Sequence, residues 1–170
     1  MEALSAAERP AVLDELFGTR PDLRESAEGF AARHLSTEDR SAVGGDVADA
    51  LLGLAIEELN GRAGLRPGRG YVHPSEAADE ILDEALQPFL DDLERRAALG
   101  MSSAATELAA GILSGLYACR DGGSETVLEE SPDYAAERAS EVLNQCRKLG
   151  IELPMTELLE LMPEWDNLLR

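Results

Sequence analysis

The stretch from His73 to Arg120 constrains the fold more than any other part of the chain, because two apolar stripes of helical period meet there across one glycine. Ala78, Ile81, Leu82, Ala85, Leu86, Phe89 and Leu93 recur at three- and four-residue spacing, which at 100° per residue places them on one face. Pro74 and Ser75 supply a start, since proline fits the first helical turn and serine accepts from its orphan amides. The spacing predicts one helix over residues 75–98, bent at Pro88, whose ring removes the hydrogen bond to residue 84. Gly100 is a natural left-handed cap, and Ser102 or Ser103 begins a second helix. Its stripe, Ala105, Leu108, Ala109, Ile112, Leu113 and Leu116, folds back on the first, burying Leu86, Phe89 and Leu93 against Leu108, Ile112 and Leu116.

The remaining segments read as shorter helices. Ser5-Ala6-Ala7-Glu8 fits a capping box ahead of Val12, Leu13, Leu16 and Phe17, with Gly18 as a stop. A second helix opens at Pro21 and carries Leu23, Ala27, Phe30, Ala31 and Leu35, with His34 beside the stripe. Ser36 or Thr37 caps a third short turn, which Gly44 and Gly45 interrupt. Asp46 caps a further helix with Val47, Ala50, Leu51, Leu54, Ala55 and Leu59 inward, ended by Asn60 and Gly61. Residues 60–73 form a Gly- and Arg-rich loop, and residues 121–133 an acidic one from which Val127 and Leu128 dock on the core. Ser131-Pro132-Asp133 starts a helix bearing Ala135, Ala139, Val142, Leu143, Cys146 and Leu149, which Gly150 ends. Pro154 opens the last one, and Trp165, Leu168 and Leu169 make an apolar tail that packs on the domain or on a second copy. No strand pattern appears, so the expectation is a single all-α domain over residues 1–170. It would comprise six to eight helices as antiparallel hairpins, in a bundle or a short α-solenoid: an N-terminal group (1–59), the loop (60–73), then hairpins and tail (74–170).

Charge narrows the function classes. The formal net charge of −19 disfavours nucleic acid, whose affinity rests on Lys and Arg neutralising phosphates. Residues 1–74 hold 13 acidic and 8 basic side chains, net −5; residues 75–170 hold 21 and 7, net −14. A protein partner of the second half is therefore expected to present a basic surface. No apolar run approaches the roughly 20 residues that span a bilayer, and the N-terminus lacks a secretory pattern, so neither membrane association nor export is expected and a cytoplasmic location is. Cys119 and Cys146 fall on successive helices, with Cys146 about 20 Å along its own, so two reduced thiols are expected.

A shift of 50 residues aligns Leu93 with Leu143, Leu99-Gly100 with Leu149-Gly150, and Thr106-Glu107-Leu108 with Thr156-Glu157-Leu158. Such an echo is what stacked helical hairpins leave in a sequence. The Leu99-Gly100 pair with Ala105 five residues later resembles the inter-helix junction of tetratricopeptide and HEAT-like helical-repeat proteins, over one hairpin. The resemblance implies a peptide- or protein-binding scaffold.

Catalytic chemistry finds less support. Two histidines, His34 and His73, with no Glu-x-x-His pair, do not make a metal site, and no cofactor is expected. Gly68 and Gly70 around Arg69 lack the strand and lysine of a phosphate loop. Glu57-Glu58 followed by Glu76-x-x-Asp79 is similar to part of the magnesium-binding pattern of all-α nucleotide pyrophosphohydrolases, with Gly61 at the third glutamate's place. That resemblance implies Glu57, Glu58, Glu76 and Asp79 as alternative metal ligands. A third class is an acidic inhibitor or immunity-type protein that blocks a basic partner. The leading expectation is a non-catalytic interaction module whose partner-binding residues are Glu76, Asp79, Glu80 and Asp83, on the side opposite the apolar stripe; a homodimer is compatible with it.

Overall fold

In the computed structural model, which describes residues 8–35, 39–68 and 70–169, eight α-helices follow one another among the described residues. They are α1 (Glu8–Thr19), α2 (Pro21–Leu35), α3 (Arg40–Leu52), α4 (Pro74–Ala98), α5 (Ser102–Ala118), α6 (Tyr134–Leu149), α7 (Met155–Leu161) and α8 (Asp166–Leu169). One small antiparallel pair, β1 (Gly64–Arg66) and β2 (Gly70–Val72), sits between α3 and α4. The class is all-α. Contacts group the chain into two compact units, Met1–Thr37 and Glu38–Arg170. The expected caps at Ser5, Ser36 and Thr37 lie outside the described residues, as do Arg69 and the side chain of His34.

The first unit is the α1–α2 hairpin. Its corner is tied by Arg20, whose amide donates to Leu16 O at 2.8 Å and whose guanidinium holds Asp22 through two bonds of 2.9 and 2.7 Å. Arg24 lies over the Phe17 ring, 5.3 Å from its centroid.

In the second unit α5 is central, packed by α3, α4 and α6. Ala104, Ala105, Leu108–Leu113, Gly115 and Leu116 are all buried. The expected hairpin forms: α4 runs unbroken through Pro88, Leu86 and Leu93 are buried, Phe89 is half-buried, and Leu108, Ile112 and Leu116 answer them. His73 caps α4, its Nδ1 accepting from the Ser75 amide. Gly100 turns the chain at φ +70°.

Three expectations change. First, Gly44 and Gly45 lie inside α3 instead of interrupting it, and the cap is Asp39, whose carboxylate accepts from Ser41 N at 3.0 Å, with Asp46 in mid-helix. The reason is α5. A Cβ on Gly111 would stand 2.6 Å from Val43 Cβ, and one on Gly115 2.6 Å from Val47 Cβ and 2.7 Å from Gly44 O. Glycines four apart lie on one helix face, so α3 and α5 touch almost backbone to backbone, and the packing outweighs the roughly 0.5–1 kcal/mol that a mid-helix glycine costs.

Second, α3 stops at Leu52, before Glu57 and Glu58, which fall on a 3-10 turn at Ile56–Leu59. Residues 54–56 are drawn into backbone pairing with the loop before α6: Val127 N donates to Leu54 O and Ile56 N to Glu125 O, both at 3.0 Å. Glu125 takes φ +62° to make that pairing. Val127 and Leu128 beyond it dock on the core.

Third, the expected loop at 60–73 contains the β1–β2 pair. Pro67 and Gly68, the latter at φ +80°, turn the chain so that Leu65 faces Tyr71 across the ladder. Three-residue strands carry too little period-2 signal to stand out in sequence, and this pair is anchored by Val72, 3% exposed, and by a two-bond contact of 2.7 Å from Arg62 to Glu84 on α4.

The tail packs as expected. Trp165 and Leu169 are buried, and the Trp165 ring meets Tyr117 edge-on at 5.1 Å. The positions matched by the 50-residue shift take like local roles: Gly150, like Gly100, sits at φ +70°, and Leu158, like Leu108, is buried. Glu107 and Glu157 both contact Arg40, at 3.1 and 2.8 Å. Beyond that corner the two halves part, since α5 has 17 residues and α7 has 7.

Candidate interaction surface

Helix α4 carries both acidic surfaces of interest. Of the four carboxylates that the sequence places away from the apolar stripe, Glu76 is exposed, while Asp79, Glu80 and Asp83 are half-buried. Two of them are turned inward to α6 and the segment before it. Asp79 Oδ1 accepts from Ser131 Oγ at 2.5 Å, and Asp83 accepts from the Tyr134 hydroxyl at 3.0 Å and from Arg138 Nη2 at 2.8 Å. The helical wheel orients these residues relative to α5, but it says nothing of a second neighbour along the flank, and α6 occupies that flank. Burial pushes the Asp83 carboxyl above the usual range, with the Tyr134 bond and the Arg138 charge opposing it. Burial likewise drives the Tyr134 phenol well above its ordinary value. Glu76 remains the exposed member of the set, and Glu80 is half-buried.

The alternative metal-ligand set is not assembled. Glu57 and Glu58 sit on the 3-10 turn, Asp79 is bonded to Ser131, and no three His, Cys, Asp or Glu side chains gather as ligands among the described residues. Gly68 lies in the turn between β1 and β2, and Gly70 opens β2. Cys119 and Cys146 are free buried thiols, each pushed by burial to about 11. No helix of the described residues is long and apolar enough to cross a membrane.

A second acidic surface lies farther along α4, at residues outside the set expected from sequence. A cleft of about 520 Å³ opens between α3, α4 and α5. Asp39, Ala42, Val43 and Asp46 line it from the cap and first two turns of α3, at the i, i+3, i+4, i+7 spacing of one helix face. Pro88, Phe89, Asp91, Asp92 and Arg95 line it from α4, and Leu108 closes it from α5. Asp92 accepts from Arg95 and, at 2.9 Å, from the buried Arg96. Burial raises the Asp92 carboxyl, but the two guanidinium groups outweigh it and hold it below the usual range. The other three carboxylates have no cation among the described residues: Asp39 caps α3, Asp91 accepts from Gln87, and Asp46 is exposed. The signal in sequence was the pair Asp39 and Asp46 seven apart, which shows as one face only once α3 is known to run through Gly44 and Gly45.

No protein-family model matches the chain, and neither a curated protein nor a solved structure matches it.

Proposed function

We propose that this chain is a non-catalytic protein-interaction module that engages a partner with a basic surface. The observation that carries the reading is charge placement: residues 75–170 hold −14 of the −19 net charge, and Glu76 is exposed on α4 beside the half-buried Glu80 and the internally bonded Asp79 and Asp83. Burying half the face in the α6 contact leaves the outward half on a fixed helix, which favours electrostatic steering over adaptive wrapping. The scaffold resemblance at Leu99-Gly100 points the same way.

The test is capture on the immobilised full-length chain from an extract of the native cell. A basic protein is expected at low salt and is expected to be released as the Debye length falls below about 10 Å. The variant Glu76→Gln/Glu80→Gln is expected to capture less. Equal capture by both proteins, indifferent to salt, overturns the reading.

A further inference from the structure

We infer that the cleft beside Phe89 receives an arginine or lysine side chain of a basic partner segment. The inference rests on the interaction-module reading and gives it a second, deeper contact than the Glu76 and Glu80 surface. Its base is apolar, with Val43 and Leu108 buried and Phe89 half-buried, so it suits the methylene stem of a long cationic side chain. Its rim is negative and uncompensated, because Arg95 and Arg96 both bond Asp92 while Asp39, Asp46 and Asp91 face the opening without a cation among the described residues. An aromatic ring at the base adds an attractive surface for a guanidinium or ammonium head. At about 520 Å³ the cleft lies within the range of side-chain and small-ligand sites, roughly 300–1,000 Å³, and its walls are helices already fixed by core packing. The occupant needs an apolar stem and a cationic head together. A bare metal ion would gain nothing from the apolar floor, and an apolar group would bury carboxylates unpaired.

The probe is a fluorescein-labelled hexa-arginine peptide, titrated into the full-length chain at about 0.15 M salt, with the site located by amide and aromatic NMR shifts. Perturbations are expected at Ala42, Val43 and Phe89. The variant Asp46→Asn/Asp91→Asn, both at exposed positions, is expected to weaken binding about tenfold. A control that removes the same charge from exposed positions at the start of α6, Asp133→Asn/Glu137→Gln, is expected to leave it within about twofold. Ala42→Trp, which fills the mouth without changing charge, is expected to block the site. Equal weakening by the cleft and control variants, or binding untouched by Ala42→Trp, overturns the inference, as does the absence of peptide binding. If the peptide binds but responds only to Glu76→Gln/Glu80→Gln, the cleft is refuted and the basic-partner reading stands.

Discussion

Helix α5 and its neighbour α4 are each clasped by another helix, and the two clasps are built on opposite principles. The α3–α5 seam is made by removing atoms: Gly111 and Gly115 on one side meet Val43, Val47 and the Gly44 carbonyl on the other, with no room for a carbon added at either α5 glycine. The seam of α4 with α6 and the segment before it is made by adding polar ones, with Asp79 bonded to Ser131, Asp83 to Tyr134 and Arg138, and Glu94 to Gln145 at 2.8 Å. The glycine-lined stretch of the first seam depends on shape and is blind to salt and pH, and that seam's charged contact, Arg40 to Glu107 at 3.1 Å, lies at the start of α3. A polar seam is sensitive to removal of a partner and to protonation, because a half-buried carboxylate left without its donors bears its desolvation alone. The contrast predicts that the first clasp fails when something is inserted and the second when something is taken away.

The sharpest break is Gly115→Ala. Its methyl would stand 2.6 Å from Val47 Cβ and 2.7 Å from the Gly44 carbonyl, and backbone on that side cannot give way as a flexible side chain would. Overpacking costs about 1–3 kcal/mol in cores generally, and this site belongs at or above the upper end. Denaturant unfolding reads it directly. A loss under about 0.5 kcal/mol would mean the two helices are free to slide apart.

Tyr134→Phe tests the other clasp by removing one oxygen without changing shape. The expected loss is about 1.5 kcal/mol, within the range for a hydrogen bond to a charged group that is partly screened. It also moves a titration. The Tyr134 bond opposes the upward push of burial on Asp83, so the variant raises the Asp83 carboxyl further, visible in side-chain NMR. A carboxylate raised in the folded state gives stability that is full below its unfolded value and lost as pH rises through the folded one. The penalty of Tyr134→Phe is therefore larger at pH 7 than at acid pH. A penalty equal at both would show that the hydroxyl does not act on the carboxylate.

The smallest effect sharpens the comparison within α3 itself. Gly45 neighbours Gly44 in sequence, yet a Cβ there meets nothing within 4 Å. Gly45→Ala is expected to raise stability by about 0.5–1 kcal/mol, since alanine loses less backbone freedom in a helix. Destabilisation would show that the close approach of α5 extends to that side.

Much of this was legible in the chain. The α4–α5 hairpin, the Gly100 and Gly150 corners, the docking of Val127 and Leu128 and the burial of the tail follow from apolar period and cap chemistry, which are local properties. The places where the reading departs from the structure are those where a distant segment overrides a local rule. Gly44 and Gly45 read as a break until Val43, Gly44 and Val47 are packed against Gly111 and Gly115 of α5. Residues 54–56 read as helix until residues 125–127 offer them backbone partners. Asp79 and Asp83 read as members of a partner-binding face until α6 and the segment before it are laid along their flank.

The sequence by itself determined the all-α class, the helix corners and the excess of negative charge, because periodicity, capping and composition act within a few residues or simply add up along the chain. Only the tertiary structure decided which carboxylates are internal latches and which remain outward, and where the cleft beside Phe89 opens. Those outcomes depend on which helix lies against which flank, and that is set by the sum of many long-range contacts that no single stretch of sequence contains.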